Sequence, residues 1–574
     1  MKTAWSETLD PNAILPEYPR PQMVRESYLN LNGVWQYAIA KEGETPEKPA
    51  GDILVPFSPE SELSGVRRML KPKETLWYTR VFTLTEGFNI GRVLLHFGAV
   101  DQTATVYLNG NELGTHTGGY LPFSFDATDS LKEGENTLAV RVRDESDASF
   151  HSRGKQKRKR GGIWYTPQSG IWQTVWCESV PAQYIAALRI TPLFDESSVE
   201  ICAYPQDAEC ALPCIVRIGD VVQHGTAGVP VTVSMEGFKP WSPEHPYLYD
   251  CEVRMGEDCV KSYFGMRKFG VEQDEAGTPR LFLNGKPYFH TGVLDQGYWP
   301  DGLYTAPSDA AMVSDIRAMK EMGFNMLRKH IKVEPLRWYY HCDRLGMLVW
   351  QDMPNGGGKY NLATISLPLL TGKHHSDGEK HYRRFARADA RGRQAYYDEL
   401  EEMVALLYNS PSVAMWVPFN EGWGQFDAAE AVRRIQAMDE TRTIDHASGW
   451  HDQGIGAVQS LHVYFKPYKF APDKLGRAVL LSEFGGYNRR IEGHCFNKKD
   501  FGYKRFESEE ALFGAWRALY ENEILPAKEQ GLAAAVYTQL SDVEDELNGL
   551  LTYDRAVKKL PADAVREINE RLKN

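Results

Sequence analysis

Short runs in which hydrophobic and polar residues alternate dominate the chain from about residue 30 to residue 180. Such runs occupy residues 34–37, 77–82, 93–97, 105–108 and 137–142. Turn-forming pairs such as Asn109-Gly110 lie between them. A period of two with turns of this kind is typical of antiparallel strands. The pattern therefore predicts a β sandwich of the jelly-roll type over residues 1–182.

A second, smaller set of strand-like runs follows this region. It includes residues 189–193, 231–233 and 248–253, with a proline-rich stretch at 241–246. The length and spacing of these runs fit a small immunoglobulin-like β sandwich. We assign it to residues 183–272 and expect a spacer, since no pattern with catalytic chemistry lies within it.

After residue 272 the pattern changes to buried strands that alternate with helices. Met312, Ile316 and Met319 share one helical face, and a strand-like run follows directly. Further helices are predicted over residues 396–407 and 427–438. The eight strand candidates are residues 288–294, 324–328, 347–352, 413–420, 443–447, 461–464, 479–483 and 533–539. Eight such strands in about 300 residues predict a (β/α)8 TIM barrel over residues 273–574.

Composition narrows the classes of function. A chain of 574 residues is too long for one core and fits two or three domains. A net charge of -12 and a pI near 5.8 argue against a nucleic-acid partner. Because no signal-peptide core and no apolar run of membrane-spanning length occur, we expect a cytoplasmic protein without membrane contact. The eight cysteines form no CxxC pair, so neither a zinc site nor a redox motif is expected.

Two glutamates follow strand-like runs of the predicted barrel. Glu421 comes directly after residues 413–420, and Glu483 ends the run 479–483. Both would therefore lie at the carboxyl-terminal rim, where barrel active sites are built. Two facing carboxyl groups suit glycoside hydrolysis, in which one protonates the leaving oxygen and the other attacks the anomeric carbon or activates water. Retaining enzymes hold the pair about 5 to 5.5 Å apart, and inverting enzymes about 6.5 to 9.5 Å.

At these residues the chain resembles glycoside hydrolase family 2, the exo-acting β-glycosidases. Asn420-Glu421 is similar to the acid/base motif of that family, and Glu483 in Ser482-Glu483-Phe484-Gly485 is similar to its nucleophile motif. The family has a sandwich, an immunoglobulin-like domain and a barrel in the same order. The resemblance implies a retaining enzyme that removes terminal sugars, with Glu483 as the nucleophile and Glu421 as the acid and later the base.

The resemblance also implies roles for neighbouring residues. Arg328 resembles the arginine at the barrel mouth that would keep Glu483 ionised, and Tyr464 resembles the tyrosine that hydrogen-bonds the nucleophile. Asn420 would reach the 2-hydroxyl of the sugar, a contact that strengthens in the transition state. Each of these residue types has an ordinary structural role when taken alone, so their joint order supports the site. Further substrate-binding candidates near strand ends are Asp295, His330, Asp352, Trp423, His462 and Gln539.

Motifs of the family that are absent from this chain bear on the predictions of its sugar and of a metal requirement. No Glu-x-His triplet of the metal-dependent β-galactosidases precedes Glu421, so we expect neither a catalytic metal nor another cofactor. Residues 546–551 lack the Asn-x-Lys of β-glucuronidases, and Asn497-Lys498-Lys499 follows the seventh strand instead of the eighth. β-Galactosidase stands first, because it is a frequent activity of the family and nothing in the sequence points more strongly elsewhere. β-Mannosidase, β-galactofuranosidase and β-glucuronidase are the alternatives.

A carbohydrate-binding protein without catalysis is the alternative from another class. Such a protein would typically have lost one of the two carboxylates, and both are present here. The family resemblance further implies assembly into homo-oligomers.

Two segments are candidates for setting specificity. Residues 360–391 follow the third barrel strand and far exceed the ~2 to 6 residues of a usual connection, which predicts a lid over the sugar site. Residues 153–160 carry the one strongly basic run and precede Trp164-Tyr165. A loop of the first domain that reaches the barrel mouth and contacts an anionic or extended substrate would explain both features. A merely solvated loop is the alternative.

Overall fold

A computed structural model describes residues 1–573, without the side chains of Leu367, Leu369 and Leu370. It contains two β sandwiches and a parallel β/α barrel, in the predicted order. Within these residues, no helix has both the length and the apolar character that a membrane crossing requires.

The first sandwich consists of two antiparallel sheets. The larger sheet has the strand order Gly51–Val55, Gly33–Lys41, Glu74–Thr83, Glu135–Arg143, Thr103–Leu108 and Asn111–Thr117. The smaller sheet has the order Leu29–Asn30, Val175–Val180, Arg92–Phe97 and Phe123–Asp126. Alternate residues such as Trp35, Leu138 and Val140 are buried between the sheets. The period-two pattern therefore marks the inward-facing side chains.

The second sandwich is smaller and also antiparallel. One sheet contains Ile185–Leu193, Ser198–Pro205 and Val231–Ser234, and the other contains Val221–Thr226, Pro213–Ile218, Tyr249–Met255 and Asp258–Phe264. A separate sheet of Phe269–Gln273, Pro279–Leu283 and Lys286–Pro287 straddles the predicted boundary at residues 272 and 273. Its Phe269, Leu281 and Leu283 pack in one hydrophobic cluster with barrel residues, so this sheet covers the barrel rather than extending the sandwich.

The eight parallel barrel strands are confirmed. They are β1 (His290–Asp295), β2 (Met326–Lys329), β3 (Leu348–Asp352), β4 (Val413–Val417), β5 (Thr443–Ile444), β6 (Val458–Val463), β7 (Ala478–Gly485) and β8 (Leu532–Thr538). Pairing runs β5-β4-β3-β2-β1-β8-β7-β6. Every residue of β3, β4, β7 and β8 is buried, which is why their sequences are nearly continuous apolar runs. Between β5 and β6 a side-chain hydrogen bond from Ser460 to Asp445 (2.8 Å) spans the seam.

Helices follow most of the barrel strands. They are Asp309–Glu321, Leu336–Leu345, Leu362–Thr371, Ala390–Leu407, Ala428–Met438, Glu509–Leu519, Leu525–Gln530 and Ala562–Lys573. Ser308 begins the first of them by accepting a hydrogen bond from the Ala311 amide at 3.2 Å, as an N-cap serine should. Within the described residues, no α-helix lies between β5 and β6 or between β6 and β7. The connections after β5 (residues 445–457) and after β6 (residues 464–477) both contribute residues to the site, Trp450 and Tyr464.

Arg25 connects the two sandwiches. Its guanidinium is almost fully buried and donates to both carboxylate oxygens of Asp258 at 3.0 and 2.8 Å. A third bond, at 3.3 Å, reaches Glu178 on the last strand of the first sandwich. A buried charge requires partners, so this arginine fixes the two domains against each other.

Replacing Arg25 with Met should destabilise the protein by about 3 to 5 kcal/mol, because the Asp258 carboxylate stays buried without its cation, while Glu178 keeps its pair with Arg20. We expect a clear drop in the melting temperature measured by scanning calorimetry. The matched control is Arg254→Gln, which removes the partner of Glu252 on the exposed face of the same domain and should leave the melting temperature unchanged. Equal melting temperatures for both variants would contradict a stabilising role for Arg25.

Candidate active site

Glu421 lies on a strained turn at the rim after β4. Its φ of 51° is in the left-handed region, which costs on the order of 1 to 3 kcal/mol for a residue other than glycine. Two hydrogen bonds hold this backbone in place. The Glu421 amide donates to the Ser448 carbonyl at 2.9 Å, and the Trp450 indole donates to the Glu421 carbonyl at 2.8 Å. The loop after β5 thus fixes the direction of the glutamate side chain.

The Glu421 carboxyl group is surrounded by neutral partners. Oε1 lies 2.8 Å from Nδ1 of His462, and Oε2 accepts a hydrogen bond from the Trp423 indole at 3.1 Å. Burial raises the pKa of Glu421 above its ordinary value, although Lys155, Trp423 and Arg328 oppose the shift. A carboxyl group that keeps its proton to higher pH is suited to act as a general acid.

Glu483 lies on β7 in a contrasting environment. Its Oε1 accepts a hydrogen bond from the Arg328 guanidinium at 3.1 Å, and its Oε2 accepts one from the Tyr464 hydroxyl. A guanidinium and a phenol that donate to the same carboxylate stabilise its negative charge. The two glutamates therefore suit different roles, with Glu483 as the charged member of the pair.

The two carboxyl groups lie close together. One oxygen of Glu421, one oxygen of Glu483 and one ring nitrogen of His462 are all within 4.8 Å of one another. So close an approach is nearer to the about 5 to 5.5 Å of retaining glycosidases than to the about 6.5 to 9.5 Å of inverting ones.

Arg328 is the centre of the polar network beneath the pair. Its side chain is fully buried and binds Asp352 through two hydrogen bonds of 3.0 Å each. It also donates to Glu483 and, at 2.8 Å, to the side-chain oxygen of Asn420. The bond to Asn420 fixes the orientation of the amide next to the acid. The predicted contact between Arg328 and Glu483 is therefore present.

His462 is a neutral hydrogen-bond donor to Glu421. Burial, together with the nearby charge of Arg328, lowers the pKa of His462 to about 4. Nε2 faces the Arg328 guanidinium at 3.4 Å and the Ser448 hydroxyl at 3.1 Å. Because a guanidinium can only donate, Nε2 is the acceptor and Nδ1 carries the proton toward Glu421. This contact holds the acid in a single orientation.

The remaining predicted residues lie near the rim but are engaged with protein partners. His330 bonds to Asp352 at 3.0 Å, Asp295 accepts from Lys329 at 2.7 Å, and Gln539 donates to Asn548 at 2.7 Å. The structure does not join Asp295 or Gln539 to the glutamate pair by a hydrogen bond or ion pair among the described residues. Roles of these residues in sugar binding stay predictions.

Tyr503 is a site residue that the sequence analysis missed. Its ring stacks on Tyr464 at 3.8 Å between centroids and an angle of 7°. Because Tyr464 donates to Glu483, this stacking places the ring of Tyr503 beside the pair. Burial raises the pKa of its hydroxyl, and the charges of Glu546, Glu421 and Glu483 add to the shift. It lies in the long link between β7 and β8, where no local pattern distinguishes it from other aromatic residues.

Two further segments contact the acid through Trp423. The ring of Trp164, from the first sandwich, meets Trp423 edge to face at 5.0 Å. Tyr360, at the start of the predicted lid, meets Trp423 at 4.9 Å and stacks on Trp164 at 6.0 Å. The lid segment continues into Leu362–Thr371 and contacts the loop after β5 through a hydrogen bond from the His375 amide to His451 (3.1 Å). Both specificity candidates thus border the same side of the site.

Glu421, His462 and Glu483 are also the group of side chains in the described chain that could together hold a metal ion. Arg328 and Tyr464 already provide donors to Glu483, and His462 uses its protonated nitrogen toward Glu421. A metal ion would displace the proton that the acid needs. The prediction of a metal-free mechanism stays a prediction.

Sequence models of known families match three regions in order. Residues 55–172 match the glycosyl hydrolase 2 galactose-binding domain-like family, residues 216–267 match glycosyl hydrolases family 2, and residues 278–480 match the family 2 TIM barrel domain. A β-galactosidase from Lactococcus lactis subsp. lactis is 26% identical over 435 residues, which are 72% of this chain and 38% of that protein. A β-galactosidase from Thermoanaerobacter pseudethanolicus is 24% identical over 64% of this chain and 47% of its own length. The chain thus spans about two fifths to half of the length of these curated relatives.

Solved structures share the fold over nearly the full chain. A β-glucuronidase from an uncultured Clostridium sp. superposes with a TM-score of 0.73 at 19% identity, covering 96% of this chain and 99% of that one. A β-galacturonidase from Eisenbergiella tayi bound to galacturonate gives a TM-score of 0.70 at 20% identity, with coverage of 96% and 99%. Together with the three matching sequence models, the domain order and the barrel show that the chain belongs to glycoside hydrolase family 2.

Proposed function

We propose that this chain is a retaining exo-β-glycosidase. The observation that carries the proposal is the pair of Glu421 and Glu483, of which one oxygen each lie within 4.8 Å of the other, in contrasting electrostatic surroundings. A binding protein without catalysis has no need for such a pair, since two carboxyl groups this close are costly unless one holds a proton.

The first half of the reaction uses both glutamates at once. The Glu483 carboxylate attacks the anomeric carbon, while Glu421 transfers its proton to the leaving oxygen. The hydrogen bond from Arg328 orients Glu483 before attack. The amide of Asn420, fixed by Arg328, is placed for the 2-hydroxyl of the sugar.

The second half returns the enzyme to its initial state. Glu421, now ionised, removes a proton from water, and the resulting nucleophile cleaves the bond between the sugar and Glu483. His462 and Trp423 both donate to Glu421, so they stabilise its charge at this stage. Retention of the anomeric configuration follows from the two successive inversions.

The sugar is the finer part of the proposal. β-Galactosides stand first from the sequence, and curated relatives are named as β-galactosidases or as putative β-glucuronidase. Proteins of the same fold are named as β-glucuronidase and β-galacturonidase. A substrate panel must therefore contain neutral sugars and uronic acids. A cytoplasmic location and a homo-oligomer stay predictions from the sequence.

Glu421→Gln and Glu483→Gln should each lower kcat/KM on a nitrophenyl glycoside by at least about a thousandfold. The two variants should differ on dinitrophenyl glycosides, whose leaving group needs little protonation. Glu421→Gln should then release a burst of dinitrophenol and accumulate a glycosyl enzyme detectable by mass spectrometry, whereas Glu483→Gln should stay inactive. Glu440→Gln, on the exposed surface, is the control. Full activity of either site variant would refute the proposal.

Trp423→Phe should shift the alkaline limb of the pH profile of kcat/KM to higher pH. The indole hydrogen bond favours ionised Glu421, so its loss raises the pKa of Glu421 further. The acid acts while protonated, and its activity is lost as the pH rises through this pKa. Trp450→Phe is the matched control, because that indole binds the main-chain oxygen of Glu421. A limb that moves downward, or moves equally in both variants, would contradict the assignment of Glu421 as the acid.

A further inference from the structure

The basic loop at residues 153–160 contains two kinds of cation. Arg158 pairs with Asp147 at 2.7 Å and Arg160 pairs with Asp545 at 3.0 Å, whereas Arg153 donates to the main-chain oxygens of Gly357 and Gly358. The ammonium groups of Lys155 and Lys157 form no ion pair or hydrogen bond with any residue that the structure describes. They lie against aromatic rings instead: Nζ of Lys155 is 5.7 Å from the ring centroid of Tyr165, and Nζ of Lys157 is 5.4 Å from that of Trp164.

The backbone of Lys155 is held at the barrel mouth. The amides of Arg153 and Gly154 donate to the carbonyl of Asn355, which follows β3, at 2.8 and 3.1 Å. The carbonyl of Lys155 accepts a hydrogen bond from the Tyr165 amide at 3.0 Å. The loop is therefore fixed on the rim, and the half-buried side chain of Lys155 is directed by anchored neighbours on both sides.

The charge of Lys155 acts on the catalytic centre. It opposes the effect of burial on the pKa of Glu421, and it adds to the effect of burial that lowers the pKa of His330. Glu421 follows β4 and His330 follows β2. The geometry agrees, since Lys155 lies over the ring of Tyr165 and the adjacent Trp164 meets Trp423, whose indole donates to Glu421. The ammonium is thus on the side of the site where Glu421 lies.

The carboxylates near Lys155 already have other partners. Glu483 accepts from Arg328 and Tyr464, and Glu546 accepts from the Tyr165 hydroxyl and, at 3.0 Å, from Asn548. Glu421 must be protonated to act as the acid. A half-buried ammonium without a permanent counter-ion is unfavourable, and an anion supplied by the substrate removes this cost.

We propose that Lys155 is a specificity-determining residue that binds a negatively charged group, a carboxylate or a sulfate ester, on the sugar to be cleaved. This inference rests on the proposed glycosidase function. A lysine suits either anion, because its ammonium is a point charge with three donors and no fixed fork geometry. Lys157 over Trp164 adds positive potential along the approach to the site.

The test compares substrates that differ only at C6. The galacto series consists of 4-nitrophenyl β-galactoside, its 6-sulfate and the β-galacturonide, and a gluco series is built in the same way. We expect either the 6-sulfate or the uronide to be cleaved with a higher kcat/KM than its neutral parent. Whichever of the two is preferred identifies the anion as sulfate or carboxylate. Lys155→Gln should lower kcat/KM on that member about ten- to a hundredfold more than on the parent. Lys159→Gln, at an exposed lysine of the same loop, should leave both values unchanged.

Salt provides a second readout. Sodium chloride should weaken cleavage of the charged substrate by the unmodified enzyme more than by Lys155→Gln, since screening acts on the interaction that the variant lacks. Equal losses on charged and neutral substrates in Lys155→Gln would overturn the anion site, as would a preference of the unmodified enzyme for the neutral parent. If neutral substrates are still cleaved, the proposed glycosidase function stands without the anion site. If no glycoside is cleaved, both the glycosidase function and the anion site are overturned.

Discussion

The buried guanidinium of Arg328 is the interaction on which the catalytic rim depends. A fully buried cation is tolerated only when every donor has a partner, and here the partners come from β3, β7 and the turn after β4. The pairing of β2 with β3 sets Arg328 opposite Trp350 and so brings it to Asp352. Strand register and the position of Glu483 are consequently parts of one network, in which the loss of one member leaves the others unpaired.

The same network explains how two identical side chains take different roles. Glu483 shares a charged and fully hydrogen-bonded environment with Arg328, whereas Glu421 stands on a strained turn among an imidazole and an indole. The two carboxyl groups are chemically identical, so their different suitability as acid and nucleophile comes from their surroundings, which favour a proton on one and a charge on the other. Backbone strain at Glu421 is maintained by hydrogen bonds from the loop after β5, so the turn and that loop form a single structural unit.

The features that the sequence predicted were local ones. Apolar runs predict the eight strands, and the residues directly after two of these runs predict both glutamates. Arg328 and Tyr464 are predicted from their motifs. Strand ends were less certain, and β5 spans Thr443–Ile444 where the pattern predicted 443–447. The sequence places Asp352 and Asp295 at strand ends but does not reveal their partners Arg328 and Lys329, which lie on another strand, and their roles in sugar binding stay predictions. Tyr503 was missed, since its place depends on contacts distant in sequence, which periodicity does not encode.

One wall of the site comes from a domain that carries neither catalytic glutamate. Trp164 of the first sandwich contacts Trp423, which in turn hydrogen-bonds the acid. Under the proposed roles, substrate preference and catalytic chemistry are encoded in separate parts of the gene. Mutations in the sandwich loop would then change which sugars are accepted while the barrel network stays intact, and a recombination that exchanged the amino-terminal domain would carry such a preference with it. The architecture therefore lets specificity diverge under weaker constraint than the reaction itself.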